Sequence, residues 1–136
     1  MAVNSGLTLY SANALLNTFR NQSFAVSSVY VMLHTNPPGE FCEDNISVGD
    51  PSLKLVNFSA PTLGALVLSA SPIWTNGGTS ETLRYLSTWD GPTGPGTDEP
   101  LWVVALTTPQ AWADADTYTL DSLGLVLAPI LQDDGS

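Results

Sequence analysis

The sequence is short of cysteine, of basic residues and of long hydrophobic runs. Cys42 is the only cysteine among 136 residues, so an internal disulfide is excluded. Three basic residues, Arg20, Lys54 and Arg84, stand against thirteen acidic ones, and the formal net charge is −10. Because the chain has no cluster of lysine and arginine to neutralise phosphates, we expect no nucleic-acid partner and no anionic membrane surface as a partner.

Two further absences concern targeting. No stretch of about 18 apolar residues occurs, so no transmembrane helix is predicted. The N-terminus lacks a basic segment followed by an apolar one, which a secretory signal requires. We therefore expect the protein to be made and folded in a cytoplasm.

The residues that are present favour sheets and turns. Charged residues make up 12% of the chain, against about 25% in typical soluble domains. Polarity comes instead from serine, threonine, asparagine and glycine, which suit strands and turns better than exposed helices. The length predicts a single domain over residues 1–136.

One segment near the N-terminus has helical periodicity, and we predict a helix over about residues 8–20. Its apolar residues follow the i, i+3, i+4, i+7 pattern of one helix face. They are Leu9, Ala12, Leu15, Leu16 and Phe19. Thr8 or Ser11 can cap the start of this helix, since their hydroxyls accept from free backbone N–H groups.

After the helix the pattern changes to that of short strands separated by turn residues. The predicted strands are 26–33, 53–59, 64–70, 73–74, 82–89, 101–106, 118–120 and 123–127. Acidic or Pro- and Gly-rich loops are predicted over 40–51, 90–100 and 107–116. Seven or eight short strands at these spacings predict a mainly β fold, an antiparallel β-sandwich or barrel with one N-terminal α-helix.

The sequence offers little catalytic chemistry. His34, the only histidine, ends a predicted strand, and no nucleophile or orienting partner can be assigned to it. A histidine satisfied by backbone groups is the simpler interpretation. Cys42 lies among Glu40, Glu43 and Asp44, whose charges would raise the pKa of its thiol and make it unreactive. We expect no catalytic residue and no enzyme.

Binding sites for metals and cofactors are equally weak in the sequence. Glu43, Asp44 and Asp50 share one loop and Asp114 and Asp116 another, but neither has the spacing of a Ca²⁺ loop. We therefore predict solvated acidic loops, with no metal and no cofactor. Of the four tryptophans, three lie on apolar strands, and only Trp112, in a predicted loop, is a candidate for surface contact or for stacking on a sugar.

Six segments, taken in order, resemble a known group of proteins. Residues 29–39, VYVMLHTNPPG, are similar to the VYVALHTxDPG signature of small tailed-bacteriophage virion proteins of the minor tail or tail-fibre type. Pro37 stands where those proteins usually have Asp. The other similar segments are 12–16 (ANALL), 56–60 (VNFSA), 89–94 (WDGPTG), 105–109 (ALTTP) and 116–120 (DTYTL).

The resemblance implies a non-catalytic structural protein of a phage virion, made in a host bacterial cytoplasm. It implies other virion proteins as partners, either the major capsid protein or tail proteins, and we also expect a homo-oligomer, with a trimer as the working guess. No shaft-forming repeat is present, so a capsid-decorating position is favoured over a minor tail, tail-fibre or tail-tip position. A carbohydrate-binding adhesin is the remaining alternative. The residues expected at an interaction surface are Leu9, Leu16, Phe19 and Trp112.

Overall fold

The computed structural model describes residues 4–127. Within that range the chain forms one α-helix, one 3-10 helix and nine strands. The helices are α1 (Leu9–Asn17) and the 3-10 segment Thr18–Arg20. The strands are β1 (Gly6–Leu7), β2 (Val29–His34), β3 (Lys54–Val56), β4 (Ala65–Val67), β5 (Ile73–Thr75), β6 (Glu81–Trp89), β7 (Pro100–Trp112), β8 (Thr117–Thr119) and β9 (Gly124–Val126).

The predicted helix is confirmed, with Thr8 as its N-cap. The Thr8 hydroxyl accepts a hydrogen bond from the Ser11 backbone N–H at 3.2 Å, which satisfies one of the free donors of the first turn. The same hydroxyl donates to the Pro100 carbonyl at 2.6 Å and so ties the helix to the start of β7. At the other end, the left-handed backbone of Asn21 stops the 3-10 turn.

A five-stranded antiparallel sheet forms the centre of the molecule, with the strand order β1-β7-β6-β2-β3. Its two middle hairpin strands, β6 and β7, pair over most of their length. Since side chains alternate across a strand, Leu33 and Leu86, which pair directly, point to one face. Their neighbours Met32 and Ser87 point to the other face.

Two small sheets, β4 with β9 and β5 with β8, pack on the first of these faces. The main core lies between the layers. It contains Val31, Leu33, Val56, Trp74, Leu83, Leu86, Leu101, Trp102, Trp112, Leu120 and Leu123. This arrangement confirms the predicted mainly β, sandwich-like antiparallel fold.

The opposite face of the large sheet is covered by the long connection between β2 and β3. Cys42 from this loop is buried against Met32, Trp89 and Val103, and Leu53 packs beside them. Both faces of β2 and β6 are therefore buried, which explains why the β2 sequence is almost continuously apolar rather than alternating.

Two predictions about β7 and the N-terminus were wrong. Strand β7 continues to Trp112 instead of ending at Leu106. The pairing of β6 with β7 shifts register between Leu83, which pairs with Gln110, and Tyr85, which pairs with Ala105. Pro109 is one of the residues 106–109 that have no partner in this register. Because no ladder hydrogen bond is needed there, the missing N–H of proline does not end the strand, and pairing resumes at Gln110. The two-residue strand β1 was not predicted.

Over the described residues, no helix is both long and apolar enough to cross a membrane.

Candidate interaction surface

His34, within the segment 29–39, is the centre of a buried polar network. It is fully buried at the end of β2. Its Nδ1 lies 2.8 Å from the Asp44 carbonyl, and its Nε2 lies 2.7 Å from the Ser87 hydroxyl, which accepts from the Trp89 indole N–H at 2.8 Å. A neutral imidazole that donates from Nδ1 and accepts at Nε2 satisfies all of these groups. His34 therefore holds the 36–46 loop against the sheet. A backbone carbonyl satisfies its Nδ1, as expected, but a side-chain hydroxyl satisfies its Nε2.

The pKa of His34 follows from its position. Burial lowers it below the usual value of 6.5, and the backbone hydrogen bonds and the nearby Asp44 charge oppose that shift without overcoming it. His34 and Ser87 form a serine–histidine pair, but both are fully buried. A substrate has no path to the Ser87 hydroxyl in this structure.

Cys42 is also buried. Burial raises the pKa of its thiol to about 12. A raised pKa for this thiol was predicted from the sequence, but the predicted cause, the charges of neighbouring carboxylates, was wrong. The thiol is part of the smaller core beneath the β2–β3 loop.

Trp112 lies inside the molecule, not in a surface loop. Its side chain is 3% exposed, and its indole N–H donates to a Glu81 carboxylate oxygen at 3.2 Å. The same carboxylate accepts from the Ser47 hydroxyl and from the backbone N–H groups of Val48 and Gly49. Partial burial raises the pKa of Glu81, but these hydrogen bonds outweigh it and hold the pKa below its usual value. Through Glu81, Trp112 thus helps to hold the loop before β3. The prediction that Trp112 lies in a loop over residues 107–116 was wrong, because it ends strand β7.

The acidic loops use their carboxylates to fasten turns. Asp50 accepts from the backbone N–H groups of Ser52 and Thr75, and Asp116 accepts from Ala113. Among residues 4–127, no group of three or more histidine, cysteine, aspartate or glutamate side chains is placed to hold a metal ion.

The helix and the 3-10 turn after it present three large apolar side chains to solvent, while Leu15 is half-buried. Leu9 is 62% exposed, Leu16 is 65% exposed and Phe19 is 88% exposed. In α1 only Ser11 is buried, and neither hydrophobic core includes a residue of the helix. Three of the four residues expected at an interaction surface therefore lie together on an uncovered apolar face, which we call the helix face.

Beside the start of the helix is a surface hollow of about 230 Å³, which sequence reasoning missed. Leu9, Tyr10 and the exposed ring of Phe41 supply its apolar walls, and Glu40 and Glu99 supply two carboxylates. Burial and, to a smaller extent, the negative charges of Asp90 and Glu99 raise the pKa of the Tyr10 hydroxyl. We call this site the acidic hollow.

The acidic hollow joins three segments that are far apart in sequence. The Thr8 bonds bring the helix to Pro100 and Leu101, and Pro100 follows Glu99 directly. Gly39 to Phe41 reach the same place through the turn that Cys42 closes with its N–H bond to the Gly39 carbonyl. The aromatic Phe41 directly after Glu40 was the only sequence signal for this site.

The comparison with known families decides the identity. The family of podophage GP4 fiber I protein gp80 matches residues 6–128, which is nearly the whole chain. The chain belongs to the podophage GP4 fiber I protein gp80 family. None of the curated proteins searched matches it.

Membership in a fibre-protein family makes this protein a structural component of a phage virion. It confirms the predicted virion location and the phage tail-fibre type of the resemblance. It also implies association with other virion proteins.

Proposed function

We propose that the protein is a non-catalytic module of a fibre assembly that contacts other virion subunits through its helix face. The observation that carries this proposal is the exposed apolar triplet Leu9, Leu16 and Phe19 in a chain from a fibre-protein family. An apolar face left in water is a common mark of a protein–protein contact. The family supports the fibre assignment, and the exposed face supports the contact.

The non-catalytic assignment rests on the burial of the reactive side chains. Ser87, His34 and Cys42 are each fully buried, and the Cys42 thiol is held protonated by its raised pKa. Each also has a clear structural use, in the polar network behind β2 or in the smaller core. A structural family gives the same expectation.

A capsid-decorating position is the second candidate. It is favoured by the sandwich-like fold and by the lack of heptad, collagen-like or β-helical repeats in these 136 residues. Acid-free residues 1–39 would then face the capsid, while the acidic residues from Glu40 onward would face water. The carbohydrate-binding alternative loses its basis, because the Trp112 ring is buried.

Immunogold labelling of intact virions with an antibody against this protein tests the proposal. Label on fibres is the expected result. Label spread over the head would replace the fibre position by the capsid-decorating one. Particles that lack the protein by mass spectrometry would overturn both positions.

Incorporation into particles tests the helix face itself. Phages that carry Leu16→Asp should assemble with much less of this protein, because a carboxylate cannot be buried unpaired in an apolar contact. Val48→Asp is the matched control, since Val48 is comparably exposed and lies on a loop away from the helix. Equal incorporation of both variants would contradict contact through the helix face.

A further inference from the structure

We propose that the helix face is covered by a second copy of this chain, with Arg20 of one copy seated in the acidic hollow of the other. The inference deepens the proposed function by naming the partner of the helix face. It can be tested on purified protein, so its failure is separate from failure of the virion assignment.

The distribution of charge singles out this surface for contact between copies. The chain carries a net charge of −10, so two copies repel each other over most orientations. Residues 1–39 contain no acidic residue, and Arg20 is the one arginine or lysine among them. A contact through the helix therefore brings together the least repulsive part of each molecule.

The helix has two complementary ends. Phe19 and Arg20 are exposed at its C-terminal end, and the Arg20 guanidinium donates to the neutral Asn17 amide at 3.0 Å. The acidic hollow, with Glu40 and Glu99, lies beside Leu9 at the N-terminal end. An arginine can stack on an aromatic ring and pair with a carboxylate at once, which is the chemistry that this hollow offers.

One molecule cannot make this pairing by itself. Leu9 and Arg20 are eleven positions apart, which corresponds to about 17 Å along a helix, beyond the reach of one arginine side chain. Two helices side by side in opposite directions would place each Arg20 near the hollow of the other copy. Leu16, which lies between the two ends, would then be buried at the contact.

Both an isologous and a head-to-tail contact use the same pair of surfaces. A two-fold contact gives a dimer, and a head-to-tail contact closes into a ring such as the expected trimer. The mass of the particle in solution distinguishes the two, and either supports the proposal.

Light scattering after size exclusion, from micromolar to submillimolar protein, is the first measurement. At the highest concentration, the molar mass of the wild-type protein should approach an integer multiple of 14.4 kDa. On dilution the average molar mass should fall toward that of one chain. Arg20→Glu should weaken the association by about tenfold or more, because it replaces an attraction by a repulsion. Leu16→Asp should do the same. A wild-type protein that is monomeric at all concentrations would overturn the proposal.

A charge exchange identifies the partner groups. Glu99→Arg alone should weaken the association, and the double variant Arg20→Glu with Glu99→Arg should recover most of it. Arg84→Glu and Asp114→Arg are the matched controls, because both residues are exposed and lie outside the helix and the hollow. They should leave the association unchanged. An oligomer that resists Arg20→Glu, or a double variant no better than the singles, would contradict the pairing.

Discussion

At the scale of single residues, the most demanding position is His34, because a buried imidazole must have both of its nitrogens satisfied. Ser87 supplies one partner and also accepts from Trp89, so a single hydroxyl serves two buried groups. The segment 29–39 thus has a structural role. It fastens the β2–β3 loop to the large sheet.

Ser87→Ala should destabilise the fold by about 2–4 kcal/mol, because it leaves the His34 Nε2 and the Trp89 indole N–H buried without partners. Urea unfolding followed by tryptophan fluorescence measures the change. Ser122→Ala, at an exposed serine, should change stability little. A loss at Ser87 no larger than at Ser122 would contradict the network.

The lowered pKa of His34 predicts how stability depends on pH. The unfolded chain takes up a proton near pH 6.5, while the folded chain does so only at lower pH. The contribution of the neutral histidine is therefore complete above pH 6.5 and is lost as the pH falls from there through the lowered folded pKa. Urea midpoints measured between pH 8 and about pH 5 should fall over that window. In His34→Gln that part of the pH dependence should disappear, whatever the absolute stability of the variant.

At the scale of elements, short-range bonds decide where loops and helices attach. Glu81 in β6 collects donors from the loop before β3 and from Trp112 at the end of β7. Thr8 attaches the helix to β7. Because each of these attachments consists of a few hydrogen bonds, a single substitution can loosen the helix or the loop before β3 from the sheet.

Gly49→Ala should destabilise the protein by about 1–3 kcal/mol. A Cβ atom at Gly49 would lie 2.7 Å from the Asn76 amide nitrogen and 2.9 Å from a Glu81 carboxylate oxygen, so the bonds that fasten this loop must shift. Gly77→Ala is the control, since the nearest atom to its Cβ is 3.4 Å away. Thermal unfolding of both variants compares them, and equal midpoints would be evidence against a tight loop.

Thr8→Val should cost about 1–2 kcal/mol by removing the helix cap and the bond to the Pro100 carbonyl. Hydrogen exchange should speed up at the amides of residues 9–17 and remain slow in β2 and β6. Thr18→Val removes only an exposed bond to the Leu15 carbonyl and serves as the control. Unchanged exchange in the helix of the Thr8 variant would contradict this attachment.

At the scale of the whole molecule, the sandwich and the helix are separate in their packing. Both hydrophobic cores are built from strands and loops, and the four tryptophans are buried on β5, β6 and β7. The helix adds the bonds of Thr8 and an edge-to-face contact between Tyr10 and Phe24. The sandwich therefore does not need the helix for its cores.

A variant that lacks residues 1–20, and with them both α1 and the two-residue edge strand β1, should still fold. It should unfold in one cooperative urea transition, at a somewhat lower midpoint, with tryptophan emission that remains characteristic of buried rings. Near-UV circular dichroism should keep the aromatic signals of the full chain. A red-shifted emission before urea is added would show that the helix is required by the cores.

The sequence predicted those features that depend on local pattern. The helical spacing and the capping threonine located α1, because such signals act within one or two turns. Apolar β-branched runs located eight of the nine strands. Strands β3, β4 and β9 lie inside their predicted ranges, and β2, β5, β6 and β8 each extend one residue beyond theirs. The predicted range of β7 was too short, because a proline such as Pro109 normally ends a strand. The register shift that accommodates Pro109 is not visible in the sequence.

What the sequence determined by itself was the β-rich architecture and the strong charge asymmetry between residues 1–39 and the rest. Tertiary structure alone decided which apolar residues are covered. It buried Trp112, which pairs with Glu81 from 31 positions away, and it left Leu9, Leu16 and Phe19 in solvent. It also gathered Glu40, Phe41 and Glu99 beside Leu9. Burial depends on contacts between distant segments, and no local pattern of residues specifies those contacts.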